Sequence, residues 1–249
     1  MSAHRVQLQP VFVLHRRPYR ETSWLLELFS RDHGRIGLVA RAARQSRPRG
    51  GGVLEPAREL LMSWTLRGDL GQLGQVESAS TAPGLGGEQL LSVLYLNELL
   101  LRLTTRHDPH PVLFDHYRTA ILELARISGS AIPLRRFEKQ LLQELGYGLN
   151  LERDSEGEPI RAETTYDYRI GQGACPLHGD ASEIAIRGDT LLALHEDRLE
   201  EPQSRQEAKL LLRAALRSHL GQKPLRTPEL FRSLRRLRSG TATVHGARP

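Results

Sequence analysis

Residues 11–41 read VFVLHRRPYRETSWLLELFSRDHGRIGLVAR, and their pattern decides the fold class. VFVLHRR (11–17) and SWLLELFS (23–30) have the length and apolar, β-branched and aromatic content of strands. RDHGR (31–35) is a turn, with Gly34 free to take a positive φ. RIGLVAR (35–41) puts Ile36, Leu38 and Ala40 on one face and Gly37, Val39 and Arg41 on the other. Working outward, ARELLMSWTL (57–66) is a fourth strand, RGDLG (67–71) a turn and QLGQVESAS (72–80) a fifth strand. Five short strands in about 80 residues predict a small closed barrel of the OB-fold or SH3-like kind.

After residue 80 the chain changes character. EQLLSVLYLNELLLRLT (88–104) is leucine-rich, lacks Gly and Pro, and predicts a buried helix. A second helix over 112–127 carries Leu113, Tyr117, Ala120, Ile121 and Leu124 at helical spacing. A third, LRRFEKQLLQELG (134–146), has Leu134, Phe137, Leu141, Leu142 and Leu145 on its apolar face. Residues 152–190 are polar and glycine-containing, which predicts an irregular insertion with a small hairpin near Tyr166–Ile170. Helices resume near Asp189. Ser204 and Glu207 fit a capping box for a helix to about His219, and Thr227-Pro228-Glu229 starts a last one. The expected class is therefore α+β: a barrel over 1–80, a helical domain over 81–238 and a flexible tail over 239–249.

Composition limits the function. Cys175 is the only cysteine, which rules out an internal disulfide and fits a reducing cytoplasm. No apolar run approaches the roughly 18 residues of a membrane span, and the N-terminus lacks a signal-peptide pattern. Phosphate-binding, hydrolase and zinc-protease signatures are missing, so no catalytic residue is expected and the chain does not read as an enzyme. Cys175 and His178 have C-x-x-H spacing without a second ligand pair, so neither metal nor cofactor is expected.

The formal charge of +6 is unevenly spread. Residues 1–80 carry 12 Arg against 7 acids, residues 81–204 carry 12 Lys/Arg against 20, and residues 205–249 carry 11 against 2. Basic ends around an acidic middle suit a polyanion, because clustered cations displace counterions from phosphate. Arg41, Arg44, Arg47 and Arg49, followed by Gly50–Gly52, are the leading phosphate contacts, with Arg35 on the preceding strand. Tyr19, between the first two strands, is the candidate for base stacking. Arg205, Lys209, Arg213 and Arg217 form a cationic helix stripe that few acids balance, and Arg232, Arg235, Arg236 and Arg238 a further cluster. Without a base-reading element, binding is expected to be independent of sequence.

VLHRRPYRETSWLLELFSRDHGRIGLVARAAR, LYLNELLLRL (94–103), LRRFEKQLLQELGYGLNL (134–151) and GQKPLRTPELFRSL (221–234) together resemble the bacterial RecO family of recombination mediators. The resemblance implies an OB-fold joined to a helical domain, in a cytoplasmic, nucleoid-associated protein. It implies binding of single- and double-stranded DNA and annealing of complementary strands. It also implies contact with the C-terminal tail of the single-stranded DNA-binding protein SSB, and work with RecR, and often RecF, in loading RecA. Many relatives hold a four-cysteine zinc module after the GYGLNL stretch. Asp154 stands where a first cysteine is expected, so a zinc-free insertion is implied here. An acidic, apolar tail asks for a hydrophobic pocket rimmed by cations, and Arg135, Arg136 and Lys139 beside Leu134 are the candidates. An RNA-binding module or an adaptor with an OB-like barrel is the alternative.

Overall fold

The computed structural model describes residues 4–41, 54–68, 70–81, 83–127, 131–177, 183–221 and 223–231. Arg44, Arg47, Arg49, the glycines after them, His178, the 232–238 cluster and the expected tail lie outside the described residues.

Five strands, β1 (His4–Tyr19), β2 (Ser23–Ser30), β3 (Gly34–Ala40), β4 (Glu59–Arg67) and β5 (Leu70–Ser78), close into a barrel in the order β1-β2-β3-β5-β4. All pairs are antiparallel except β3–β5, which pairs Gly37–Val39 with Leu70–Gln72 in parallel. Of the two kinds of small barrel that the strand spacing allowed, OB-fold or SH3-like, this strand order is the OB type. β1 begins earlier than its apolar run. Its first half pairs with β4, from His4↔Leu66 to Phe12↔Glu59, while its second half pairs with β2. One long strand serving two neighbours is what closes the ring.

The barrel interior is filled by Val11, Val13, Leu26, Leu28, Ile36, Leu38, Ala40, Leu60, Met62 and Trp64. Residues 11–14 are buried on both faces, because Phe12 and Phe29 turn outward to meet Phe114, with ring centroids 5.2 and 5.6 Å apart from it. Register slips between Val13 and His15 mark a bulge at Leu14. A bulge leaves a residue out of the ladder, so its carbonyl needs another donor. Asn97 Nδ2 supplies it, donating to Leu14 O at 3.0 Å in a buried site. That bond ties α1 (Gly87–Leu103) to the barrel. Gly34 closes the β2–β3 turn with φ +64°, and a Cβ there would run into the Asp108 backbone carbonyl.

The remaining elements are α2 (Pro111–Arg126), α3 (Ile132–Glu144), β6 (Thr165–Arg169), β7 (Gly173–Pro176), β8 (Ala185–Arg187), α4 (Gly188–His195) and α5 (Pro202–Leu220). The insertion has more order than its composition suggests. β6 lies between β7 and β8 in an antiparallel three-stranded sheet. Asp154, in the region of the implied cysteine, organises the preceding turn: its Oδ1 accepts from the N–H groups of Glu156 and Glu158 at 2.9 and 3.0 Å. Among the described residues, no three His, Cys, Asp or Glu side chains gather into a metal site. The capping box at Ser204 and Glu207 does not form. The helix starts at Pro202 with Glu201 as N-cap, three residues before the expected cap, and both side chains serve Thr190 instead, at 3.2 and 2.7 Å from its Oγ1. Among the described residues, no helix is long and apolar enough to cross a membrane.

The chain forms two compact units. The first holds residues 1–114, 124–128 and 223–249; the second holds 115–123 and 129–222. The first carries 22 Lys/Arg against 11 acids, net +11, and the second 13 against 18, net −5.

Candidate nucleic-acid interface

One end of the barrel opens into a groove of about 1260 Å³. Its walls are the β1–β2 hairpin tip, the end of β3 and the start of β5. The hairpin turns at Arg20, which takes a left-handed φ of 53°. Tyr19 is half-buried in the wall, and the Arg20 guanidinium lies 5.3 Å from its ring centroid. Arg41 follows directly from Ala40, which pairs with Trp24 across β2–β3, and is exposed. Among the described residues Arg41 has no ion-pair partner. The opposite wall is uncharged: Leu70, Gly71, Gln72, Leu73 and Gly74. A Cβ on Gly71 would press on Leu38 Cδ2 at 2.6 Å, so glycine lets β5 lie close against β3. Arg16, on the same hairpin, sits 5.3 Å from the Trp24 ring centroid and donates to Leu54 O. The hairpin tip also brings Glu21 to the lining, so the charge there is Arg20 and Arg41 against one acid. A groove with a tyrosine and a surplus of cations beside uncharged β5 residues can take a nucleic-acid strand, with phosphates near the arginines and a base near the ring.

The structure brings Tyr19 and Arg41 together in this groove. Arg35, at the far end of β3, is held elsewhere. Its guanidinium donates to Leu101 O at 3.0 Å and lies 3.9 Å from Glu27, which also pairs with Arg106. Burial lowers the Arg35 pKa, opposed by Glu27 and reinforced by Arg106. On α5, Arg213 and Arg217 are exposed without ion-pair partners among the described residues, while Arg205 and Lys209 are half-buried. That stripe belongs to the second unit. Arg20, Arg16 and the β5 wall went unread in the sequence. The RRPYRE loop that nominated Tyr19 holds the signal for Arg20. The β5 wall depends on the parallel β3–β5 pairing, which no local pattern encodes.

On α3, Arg136 and Lys139 lie on the helix edge, but both are engaged. Arg136 Nη1 is 2.6 Å from Glu123, and Lys139 Nζ binds Leu194 O, His195 O and Asp197 at 2.7–2.9 Å, closing the end of α4. Leu134 is half-buried. Arg135, expected on the same edge, is instead enclosed at 4% exposure, with Nη2 2.6 Å from the fully buried Glu138. Three residues apart, the two charges share one helix face and compensate each other inside. Arg135 Nε and Nη1 have no hydrogen-bond partner among the described residues.

A closed OB-type barrel with Arg20 and Arg41 on a groove at one end, followed in the chain by helices and a small three-stranded sheet, defines the class: an α+β protein with an N-terminal OB-type barrel. The sequence places it more narrowly. Residues 4–82 match the family "Recombination protein O N terminal" and residues 86–229 the family "Recombination protein O C terminal". The chain is 46% identical over 230 residues to the DNA repair protein RecO of Methylococcus capsulatus, covering 92% of this chain and 94% of that one. It is 46% identical to its counterpart from Nitrosococcus oceani, covering 94% and 96%, and 47% identical to that from Alkalilimnicola ehrlichii, covering 95% of each. The chain belongs to the RecO family.

Proposed function

We propose that this chain is a non-catalytic mediator of recombination in DNA repair, acting in the cytoplasm at the nucleoid. It binds single- and double-stranded DNA without sequence preference and anneals complementary strands. Together with RecR, and with RecF where that protein takes part, it helps RecA load on SSB-coated DNA. The observation that carries this reading is the barrel groove, where Tyr19, Arg20 and Arg41 face a neutral β5 wall within a unit of net charge +11. Screening the charge of two phosphate backbones lowers their repulsion and lets strands meet. Arg213 and Arg217, the exposed members of the α5 stripe, offer further cations for the other strand.

The SSB tail is assigned to the α3 region of the second unit. Its support is the pair of spare donors on Arg135, on the helix that carries Phe137 and Leu141, since a terminal carboxylate is a natural acceptor for them. Use of those donors requires the pocket around Arg135 to open, as the guanidinium is enclosed.

The test is annealing of complementary oligonucleotides, bare or coated with SSB or with SSB lacking its tail. Acceleration on bare strands and on SSB-coated strands, lost when the tail is removed, is expected. Equal rates with and without the protein on bare strands refute the annealing role. Cleavage of the strands in Mg²⁺ refutes the non-catalytic reading.

A further inference from the structure

The β5 wall of the groove begins at Leu70, which pairs with Gly37 of β3. Beyond that pair the edge of β3 is covered by another part of the chain. The segment after α1 takes the next place: Arg106 bridges Arg35 in parallel, and His107 N donates to Arg35 O at 3.0 Å. The backbone groups of an edge need partners, and here a stretch distant in sequence supplies one. That pairing carries Arg106 to the outer face of the barrel, beside the groove. Side chains alternate along a strand, so Gly37 and Val39 face away from the core residues Ile36, Leu38 and Ala40, and Arg41 continues their row. Val39 and Arg41 line the groove. Gly37 is the next position on that face, and its missing side chain admits the Arg106 guanidinium. A Cβ there would stand 3.2 Å from Arg106 Nη2, 3.3 Å from its Cζ and 2.9 Å from Leu70 Cδ2. The guanidinium therefore lies against β3, next to a leucine of the groove wall.

The charges at this place leave one cation over. Glu27, opposite Gly37 on β2, pairs with both Arg106 and Arg35. Arg35 also donates to Leu101 O, and its side chain is only 18% exposed. Arg106 keeps 35% of its side chain exposed. Among the described residues Glu27 is the one carboxylate paired with Arg106; Asp108, close by in sequence, lies 3.4 Å from His110 instead. The carboxylate is shared by two guanidinium groups, and the more exposed of the two is the one beside the groove. A guanidinium is a rigid fork of donors that can serve a carboxylate and a phosphate at once. Four residues of strand separate Gly37 from Arg41, about 13 Å at about 3.3 Å each, a spacing for two phosphates of one strand. We propose that Gly37 and Arg106 form a second phosphate subsite, so that a single strand runs along β3 from Arg41, past Val39 and Leu70, to Arg106. This rests on the nucleic-acid reading of the groove and gives the bound strand its path.

The experiment uses the full chain and a fluorescein-labelled single-stranded oligonucleotide, with affinity read by anisotropy across salt. Arg106→Gln, Arg106→Lys, Glu27→Gln and Arg41→Ala are compared, with Arg106→Gln also combined with Arg41→Ala. Each single-strand phosphate contact contributes about 0.7 to the slope of log affinity against log salt. Arg106→Gln is expected to lower the slope by that amount, so that its deficit shrinks about 2.6-fold between 50 and 200 mM salt. With Arg41→Ala the two losses should add to about 1.4 in slope, or about sevenfold over the same range. Arg106→Lys keeps the charge and should keep the parent's slope. Glu27→Gln frees Arg106 from its carboxylate and should raise affinity; its sign carries the test if Arg106→Gln does not fold. A parent-like slope in Arg106→Gln overturns the proposal. So does a loss of affinity in Glu27→Gln that matches the loss in Arg106→Gln, because the ion pair then only braces the barrel. A slope lowered by Arg41→Ala but not by Arg106→Gln leaves the groove standing without this subsite. Absence of oligonucleotide binding by the parent chain is a different result: it removes the groove reading itself.

Discussion

The groove makes a prediction in which two neighbouring residues fail in different ways. Tyr19 offers a ring and Arg41 a charge, both on one wall. Replacing Tyr19 by Ala removes a stacking partner, worth about 1–3 kcal/mol per base. At about 1.4 kcal/mol per decade, that is a loss of about five- to 150-fold in affinity. Because stacking releases no counterions, the loss should be the same at every salt concentration. Arg41→Ala removes one phosphate contact, worth about 0.7 in the salt slope. Its deficit should therefore shrink by about 2.6-fold between 50 and 200 mM salt. Tyr19→Phe keeps the ring and should bind as the parent does, which separates stacking from the hydroxyl. The assay is anisotropy of a labelled single strand at four or five salt concentrations. Should the Tyr19→Ala deficit shrink with salt as Arg41→Ala does, or Tyr19→Phe lose as much as Tyr19→Ala, the division of labour along the wall is wrong.

Three further outcomes concern stability. Gly34→Ala forces a side chain into a left-handed turn against the Asp108 carbonyl; a cost above about 2 kcal/mol is expected by urea denaturation, since the φ penalty alone is about 1–2. A variant within 0.5 kcal/mol of the parent, on the order of a neutral surface change, would show that the turn relaxes freely. Glu138→Gln leaves Arg135 charged and buried without its counter-charge, and should cost about 3–5 kcal/mol, whereas Arg135→Met with Glu138→Leu should recover most of that; equal damage from single and double variants would argue that shape, not charge, governs the site. Burial alone would raise the pKa of Glu98 and of Glu207, but hydrogen bonds from Thr227 and Thr190, backbone N–H groups and a nearby arginine hold both below their ordinary 4.5. Depressed carboxylates stabilise the fold above the ordinary carboxylate range and lose that contribution as pH falls through their lowered values. The urea midpoint should therefore drop on acidification below about pH 4.5, and drop less in the Glu98→Gln, Glu207→Gln double variant; identical pH profiles would refute the assignment.

What the sequence made legible follows from how local each signal is. β2 and β3 are apolar runs joined by a glycine turn, and their pairing Ser30↔Gly34 is set by that turn alone. The first half of β1 was silent because its partner, β4, is distant in sequence and only Val6 among residues 4–10 is buried, too few for an alternating pattern. The three strands of the insertion have only three to five residues each, too few for a period to emerge. Ser204 and Glu207 have the right spacing for a cap, yet they complete the contacts of Thr190, which spacing cannot reveal. The arginines divide in the same way. Arg35 and Arg41 bracket one strand and look equivalent in sequence. The barrel sends one to Leu101 and Glu27 and leaves the other at the groove. The three-residue spacing of Arg135 and Glu138 allows a pair from sequence alone, but amphipathic reasoning left Arg135 on the helix edge with its neighbours, because spacing does not say that a pair is buried.

The charge pattern of the chain gains a spatial meaning from the way its units are assembled. Along the sequence the basic stretches stand at opposite ends, separated by more than 120 positions of net negative charge. In the fold, the barrel and the segment from Lys223 onward belong to one unit, and α1 carries the hydrogen bonds that bring them together. The separation in sequence and the union in space share one cause: α1 offers Asn97 to the bulge of β1 and, at Glu98 and Arg102, a seat for the returning chain. Consecutive helix positions point about 100° apart, so Asn97 and Glu98 can engage two different partners from one turn. A unit of net charge +11 thus arises from segments that are individually modest, and α1, itself without a groove residue, is the element that contacts both β1 and residues 223–227.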